Sequence, residues 1–484
     1  MTVAQKMFFD SARIKLSLSP PLVYLLPSDP VVQIVEQRPV EETLLRGQVS
    51  VYLPKARELT LDVTFTHDIE LYPPGCATER ATVFEETLQV VKNQFHVKGE
   101  HTYDFVFILP PHLPSYGRDE YCRIKSDCKA VAHHLGTLGM DLVAQQRPIL
   151  VVNPSGLGEP PPGLKISVDD FLDELGPYSI YLNTDHFIVS GLLLFYLDMP
   201  DPPADVPLKS IGLYIDQYTT LTSLKHFTLA PVEGVHPVIN CPVQRRQLLL
   251  LDGSEHKRNC DDAESVPIPL TATRQSPANK TTANCPAGDQ FVCHLMQAVN
   301  RHGIPAVRKS MARDPDHVPI FDRDLDELTD AMKRRLASHG GLTFLRQGRP
   351  FSARHLVRLP SEYALRPTTH AGTKTPIHVR HEIAVEIRYV NAQGKPRVLK
   401  INKEISLASC ACMVESLVLP MYSPNDPGEA AKIDYTDCMH NCACGRSFVK
   451  MVDDKADWVY QEMSSCDTSD GNDDTPDPDA VKLA

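Results

Sequence analysis

Apolar and polar residues alternate with period two along much of this chain. Between positions 57 and 72, Leu59, Leu61, Val63 and Phe65 share one parity and Thr60, Asp62, Thr64 and Thr66 the other. Tyr103, Phe105, Phe107 and Leu109 repeat the pattern, as do Ile211, Leu213 and Ile215. Ile383, Val385, Ile387 and Tyr389 do so again, with Glu382, Glu386 and Arg388 on the opposite face. Such alternation predicts antiparallel strands with one buried and one wetted face. Many of them, punctuated by Pro and Gly, predict sandwiches.

The strands fall into two blocks. The first runs over 13–153, and a Pro/Gly-rich join follows, for which a hinge over 154–177 is expected. Following its Pro/Gly-rich part, Val168, Phe171, Leu172 and Leu175 have the spacing of a short helix. The second block covers 178–424 and is interrupted at 253–350 by a polar insertion. There Leu325, Leu328, Met332 and Leu336 recur at helical spacing behind Asp322 and Asp324, which can cap. A structureless insertion of that length is functional or disordered rather than core. Residues 425–484 form a Cys-containing and then acidic tail, with ten acidic residues against two lysines from Asp453 onward. Disorder is expected there.

Composition narrows the function. With 49 basic and 61 acidic residues the net charge is −12, a poor match to nucleic-acid phosphates. The longest apolar run, from Phe187 to Leu197, is far short of the roughly 20 residues that span a bilayer. No integral membrane segment is expected. The first residues lack a basic-then-apolar leader, so the 13 cysteines read as reduced thiols of a cytoplasmic protein. Proline at 41 residues suits strands joined by stiff connections.

Several segments resemble the arrestin family. The stretch 99–115, GEHTYDFVFILPPHLPS, is similar to the N-domain signature in which Gly-x-His leads into an aromatic strand and a Leu-Pro-Ser turn. The stretch 46–54, RGQVSVYLP, resembles the part preceding it. The stretches 209–218, KSIGLYIDQY, and 375–389, TPIHVRHEIAVEIRY, resemble C-domain strands, and a strand over 401–407 with Cys410 and Cys412 fits its close. The chain is similar to fungal arrestin-related trafficking adaptors (α-arrestins). That resemblance implies two immunoglobulin-like antiparallel β-sandwiches and a cytoplasmic adaptor, recruited peripherally to the plasma membrane or endosomes. Such an adaptor links transporters or receptors to a HECT-type, Nedd4-like ubiquitin ligase. An arrestin-fold subunit of a sorting coat, without ligase contact, is the alternative.

Ligase docking calls for a Pro-Pro-x-Tyr peptide or a variant, because proline pre-sets an extended segment that an aromatic groove receives. The chain has no Pro-Pro-x-Tyr. Leu419, Pro420, Met421 and Tyr422 form a Leu-Pro-x-Tyr variant just past the last expected strand, either a docking peptide or a packed strand terminus. Arg118, Arg123, Lys125 and Lys129 form a basic cluster that could receive a phosphorylated tail. Asp119, Glu120 and Asp127 would neutralise it if it lay on a solvated loop. Cys438, His440, Cys442 and Cys444 offer four soft ligands, but their spacing is irregular for zinc, so no metal and no cofactor is expected. Gly-x-Ser-x-Gly, Walker and dinucleotide motifs are absent, and a non-enzyme is expected.

Overall fold

The computed structural model describes residues 11–19, 22–26, 43–155, 160–225, 227, 238–252, 265–268, 290–311, 329–339, 341–346, 349–362 and 364–413. The described chain is mostly antiparallel β-structure, arranged as two packed pairs of sheets.

In the first pair, one sheet joins β1 (Arg13–Leu18), β3 (Thr43–Leu53) and β6 (Gly99–Leu109). The other joins β5 (Glu79–His96), β4 (Arg57–Leu71), β8 (Cys122–Ala132) and β7 (Gly117–Arg118), with β9 (Leu142–Gln146) also against β8. Strand parity accounts for the packing. Leu59, Leu61, Val63 and Phe65 of β4 meet Val49, Val51, Phe105 and Phe107 of the facing sheet in one buried cluster, while Thr60, Asp62, Thr64 and Thr66 stay partly exposed. Phe107 packs against both Phe65 and Phe105, with ring centroids 5.9 and 5.7 Å apart. Gly47 of β3 lies under the Phe105 ring, where any Cβ would overlap it.

Among the described strands, one pairing departs from the antiparallel pattern. β2 (Leu22–Leu25) runs parallel to β10 (Ile149–Val152), and this ribbon serves both halves of the molecule. Val23, Leu25 and Leu150 enter the first core; Leu22 and Val151 enter the second.

The second pair begins at β11 (Leu164–Leu172), earlier than expected. The helix anticipated from Val168, Phe171, Leu172 and Leu175 is absent. β11 instead pairs residue by residue with β12 (Gly176–Thr184), from Leu164 opposite Thr184 to Leu172 opposite Gly176. The expected hinge over 154–177 therefore stops at residue 163. β13 (Leu192–Met199), β19 (Phe351–Arg358) and β17 (Ser265–Pro267) complete this sheet. The facing sheet is built on β14 (Val206–Thr222). One edge of β14 meets β20 (Ile377–Val390), which continues to β21 (Pro396–Ile405). Its other edge meets β15 (Val238–Asn240), β16 (Gln244–Leu251) and β18 (Thr343–Leu345).

The region expected to be a polar insertion contains α1 (Gln290–His302), α2 (Ile304–Met311) and α3 (Asp330–His339). Val292, Leu295 and Val299 of α1 and Ile304 and Val307 of α2 pack on Leu192, Leu194 and Leu356. Those last three lie on the outer face of β13 and β19, so this sheet is buried on both sides. Leu336 of α3 packs against Phe344, while Leu325 and Leu328 lie outside the described residues. The close of the second sandwich also differs from expectation. Cys410 and Cys412 sit in a turn after β21, fully buried, because they plug the junction with β2 and β10. Glu386, assigned to a wet face, is buried as well: Arg245 and Arg388 cover it with contacts of 2.8 and 3.1 Å.

Candidate functional site

The motifs singled out in the sequence are distributed unevenly. Leu419, Pro420, Met421 and Tyr422 lie outside the described residues, and so do Cys438, His440, Cys442 and Cys444. The basic residues are placed on strands rather than on a solvated loop. Arg118 is on β7; Arg123, Lys125 and Lys129 share the outer face of β8, alternating with buried Cys122, Ile124, Ser126 and Cys128. They form a row, Arg123 and Lys125 about 7 Å apart and Lys129 about 13 Å beyond Lys125, not a converging pocket. Across the sheet Glu70 stands opposite Arg123 and Asp68 opposite Lys125. Asp127 lies 3.8 Å from Lys125 and accepts hydrogen bonds from Gln145 and Arg147 at 2.7 and 3.1 Å. Cross-strand acids thus temper this row.

The two other acids expected to neutralise the cluster turn away from it. Asp119 and Glu120 occupy the β7–β8 turn and point into the seam between the sandwiches. Asp119 Oδ1 accepts the backbone N–H groups of Tyr121 and Cys122, both at 2.8 Å, which fixes the turn. Its Oδ2 accepts from Nη1 of Arg366 at 3.1 Å, and both side chains are almost fully buried. Burial opposes the guanidinium charge, but the surrounding Cys122 and Asp119 more than offset it. Of those two we assign the counter-charge to Asp119, because burial pushes the Cys122 thiol up to about 12 and leaves it neutral. Gly117 makes room: a Cβ there would overlap the Arg366 guanidinium.

From Arg366 the network continues through the second sandwich. The Arg366 backbone N–H donates to Gln217 Oε1 at 2.9 Å. Gln217 Nε2 donates to Gln244 Oε1 at 2.8 Å, and Gln244 donates back to Glu120. His381 Nε2 lies 3.3 Å from Gln217 Oε1 and its Nδ1 lies 2.9 Å from the Thr368 hydroxyl. Thr368 Oγ1 accepts from the Leu407 N–H at 2.8 Å, so its proton is available for Nδ1. That assigns the Nε2–H tautomer of a neutral ring, in keeping with burial lowering the His381 pKa to about 3.

Apolar contacts surround these groups. Ile69, Leu71, Tyr121 and Ile124 pack with Leu221, Cys241, Ile377 and Val379 across the seam. Glu79 at the start of β5 accepts from Ser223 Oγ and from the Leu224 N–H, at 2.9 and 2.6 Å. Near the β2–β10 ribbon, Tyr24 donates to the Ala411 carbonyl at 2.9 Å and the Cys412 thiol to Val152 O at 3.4 Å.

Chemically the seam is a lock. Its acid is paired, its histidine is held neutral, and its thiol is held far from the thiolate a nucleophile requires. What it does is hold two sandwiches in one orientation. Among the described residues no cluster of three or more His, Cys, Asp or Glu is placed to hold a metal, the cysteines form no disulfide, and no helix is long and apolar enough to cross a membrane. Arg366 carried no sequence signal, being a single arginine before a proline between strands. Gln217 and His381 lay inside strand-like stretches, where alternation alone marks them as ordinary strand positions. Neither a protein-family model nor a curated protein sequence matches the chain.

Proposed function

We propose that the chain is an arrestin-type cytoplasmic adaptor that links membrane transporters or receptors to a HECT-type, Nedd4-like ubiquitin ligase for endocytic sorting. One observation carries the reading. The arrestin-like segments, identified separately along the chain, are hydrogen-bonded to one another as core strands. Residues 46–53 pair with 99–106, Gly47 opposite Phe105, and residues 210–218 pair with 380–388, Leu213 opposite Val385. Two sandwiches fixed by a buried lock supply a rigid platform, and its loops and outer strands are free to vary for cargo. Peripheral recruitment to the plasma membrane or endosomes belongs to this proposal.

The ligase contact is assigned to Leu419, Pro420, Met421 and Tyr422, which follow the last described residue, Met413, by only a few positions. Proline sets the extended backbone and tyrosine anchors the end of the peptide in the WW groove. Titration of the full chain with the WW domains of a Nedd4-type ligase is expected to give saturable binding, reduced at least tenfold by combined Pro420→Ala and Tyr422→Ala. Binding by neither form would remove the ligase role and favour the coat-subunit reading.

A further inference from the structure

We propose that the end of the first sandwich farthest from the seam docks on the surface of an anionic lipid bilayer. This goes beyond the adaptor reading, which requires only protein partners.

Strand register defines that end. β4 runs from Arg57 to Leu71, and only its Leu71 end enters the seam. Fifteen residues at about 3.3 Å each put Arg57 roughly 45 Å away. Opposite Arg57 is His96, the end of β5. Gly99, which opens β6, is opposite Leu53, the end of β3, and Arg13 of β1 is opposite Tyr52. β8 ends and β9 begins at the Ala132–Leu142 pair, beside Leu61 of β4. The β5–β6 hairpin and the β8–β9 connection therefore emerge at the same end, where Arg57 of β4, opposite His96, donates through Nη2 to the His134 carbonyl at 2.6 Å.

Both tips present apolar side chains to water. Phe95 is 69% exposed and Val97 66% on the hairpin; Leu138 is 97% exposed and Met140 62% on the neighbouring connection. Large apolar groups concentrated at one end call for a partner. The backbone adds a second, independent sign. Asn93, His134 and Leu138 have φ of 48°, 57° and 61°, three of the five non-glycine residues with positive φ among those described. A leucine held left-handed with its side chain wholly in water gains nothing from the fold itself, and strain of that kind gathers where a segment has work to do.

Shape and charge select the partner. The apolar groups stand on projecting tips rather than in a groove, which suits insertion between lipid headgroups. Arg13, Lys55, Arg57, Lys92 and Lys98 surround them, five cations against the four carboxylates of Glu58, Glu100, Asp62 and Asp141. Asp62 and Asp141 are engaged by His133, at 3.1 and 3.2 Å. A local surplus of cations on a chain of net charge −12 complements anionic headgroups. Tyr103, half-buried with its hydroxyl 3.1 Å from His96 Nε2, adds an aromatic ring of the kind that settles at a bilayer interface.

The test is co-sedimentation of the full chain with vesicles. Phosphatidylcholine vesicles containing about one third phosphatidylserine are expected to bind it, and phosphatidylcholine alone to bind it weakly. Combined Phe95→Ser and Val97→Ser should lower partitioning about tenfold, and combined Leu138→Ser and Met140→Ser comparably. Because all four side chains are exposed, both variants should retain the parent's circular dichroism and melting temperature. Absence of binding to anionic vesicles, or binding that neither double variant weakens, overturns the proposal. A concentration-dependent dimer in vesicle-free buffer, abolished by the same substitutions while vesicle binding persists, would assign the tips to a second copy of the chain and overturn it equally.

Discussion

Arg366→Ala is expected to destabilise the protein by about 3–5 kcal/mol, the cost of leaving one member of a buried ion pair without its partner. The Asp119 carboxylate would keep its two backbone hydrogen bonds and lose its counter-charge in a site nearly closed to water. The loss should be felt by both halves, because Asp119 belongs to the first sandwich and Arg366 to the second. Denaturant unfolding followed in each half separately should show two transitions that coincide in the parent and separate in the variant. Replacing both partners without stranding a charge, Arg366→Met with Asp119→Asn, should recover much of the stability, since the Asn oxygen can still accept the Tyr121 and Cys122 N–H groups. The exposed pair between Arg380 and Glu382, 3.0 Å apart, provides the contrast: Arg380→Ala should cost at most about 1 kcal/mol. An Arg366→Ala protein as stable as the parent would show that the ion pair does not hold the seam.

Acid should unfold the chain steeply. Burial lowers the pKa of His67 to about 4 and of His355 and His381 to about 3, against an ordinary value of 6.5. Each ring is neutral in the folded protein and takes up a proton on unfolding throughout the interval between those values. The folded pKa being the lower one, stability is complete above about pH 6.5 and is lost as pH falls. With three such rings the slope is roughly 4 kcal/mol per pH unit. A domain stability in the lower half of the usual range, about 5–10 kcal/mol, is then exhausted, with collapse expected between about pH 5 and 4. Near-ultraviolet circular dichroism against pH measures this, and replacing any one of the three by glutamine should reduce the slope by about one third. Full stability at pH 4 would contradict the neutral assignments, His381 in the seam included.

The strands that carry the fold were legible because a face either meets the opposing sheet or meets water. β4 and β6 follow their alternation closely. Where charged side chains of the same sheet fold over the outer face, the same rule misleads, as on β20 at Glu386, buried beneath Arg245 of β16 and Arg388. The run from Phe187 to Leu197 did contain the missing signal: apolar residues of both parities mean cover on both faces, and α1 and α2 supply it over Leu192 and Leu194. Residues 164–172 failed for another reason. Val168, Phe171, Leu172 and Leu175 match a helical template, yet Leu164, Ile166 and Val168 also match a strand, and the hairpin with β12 decides between them. Gly176, with φ of 74°, makes that tight turn attainable. The lock was not legible at all. Asp119 and Arg366 are far apart in the chain, and each looks locally like an ordinary polar loop residue.

Comparing ubiquitinated plasma-membrane proteins in cells with and without this chain addresses the adaptor role itself. On the reading developed above, a defined set of transporters or receptors loses ubiquitin and persists at the surface when the chain is removed. Restoring the parent chain reverses this, and restoring the form with Pro420→Ala and Tyr422→Ala does not. An unchanged ubiquitin profile, with the chain held in a stable assembly that ignores both substitutions, would contradict it.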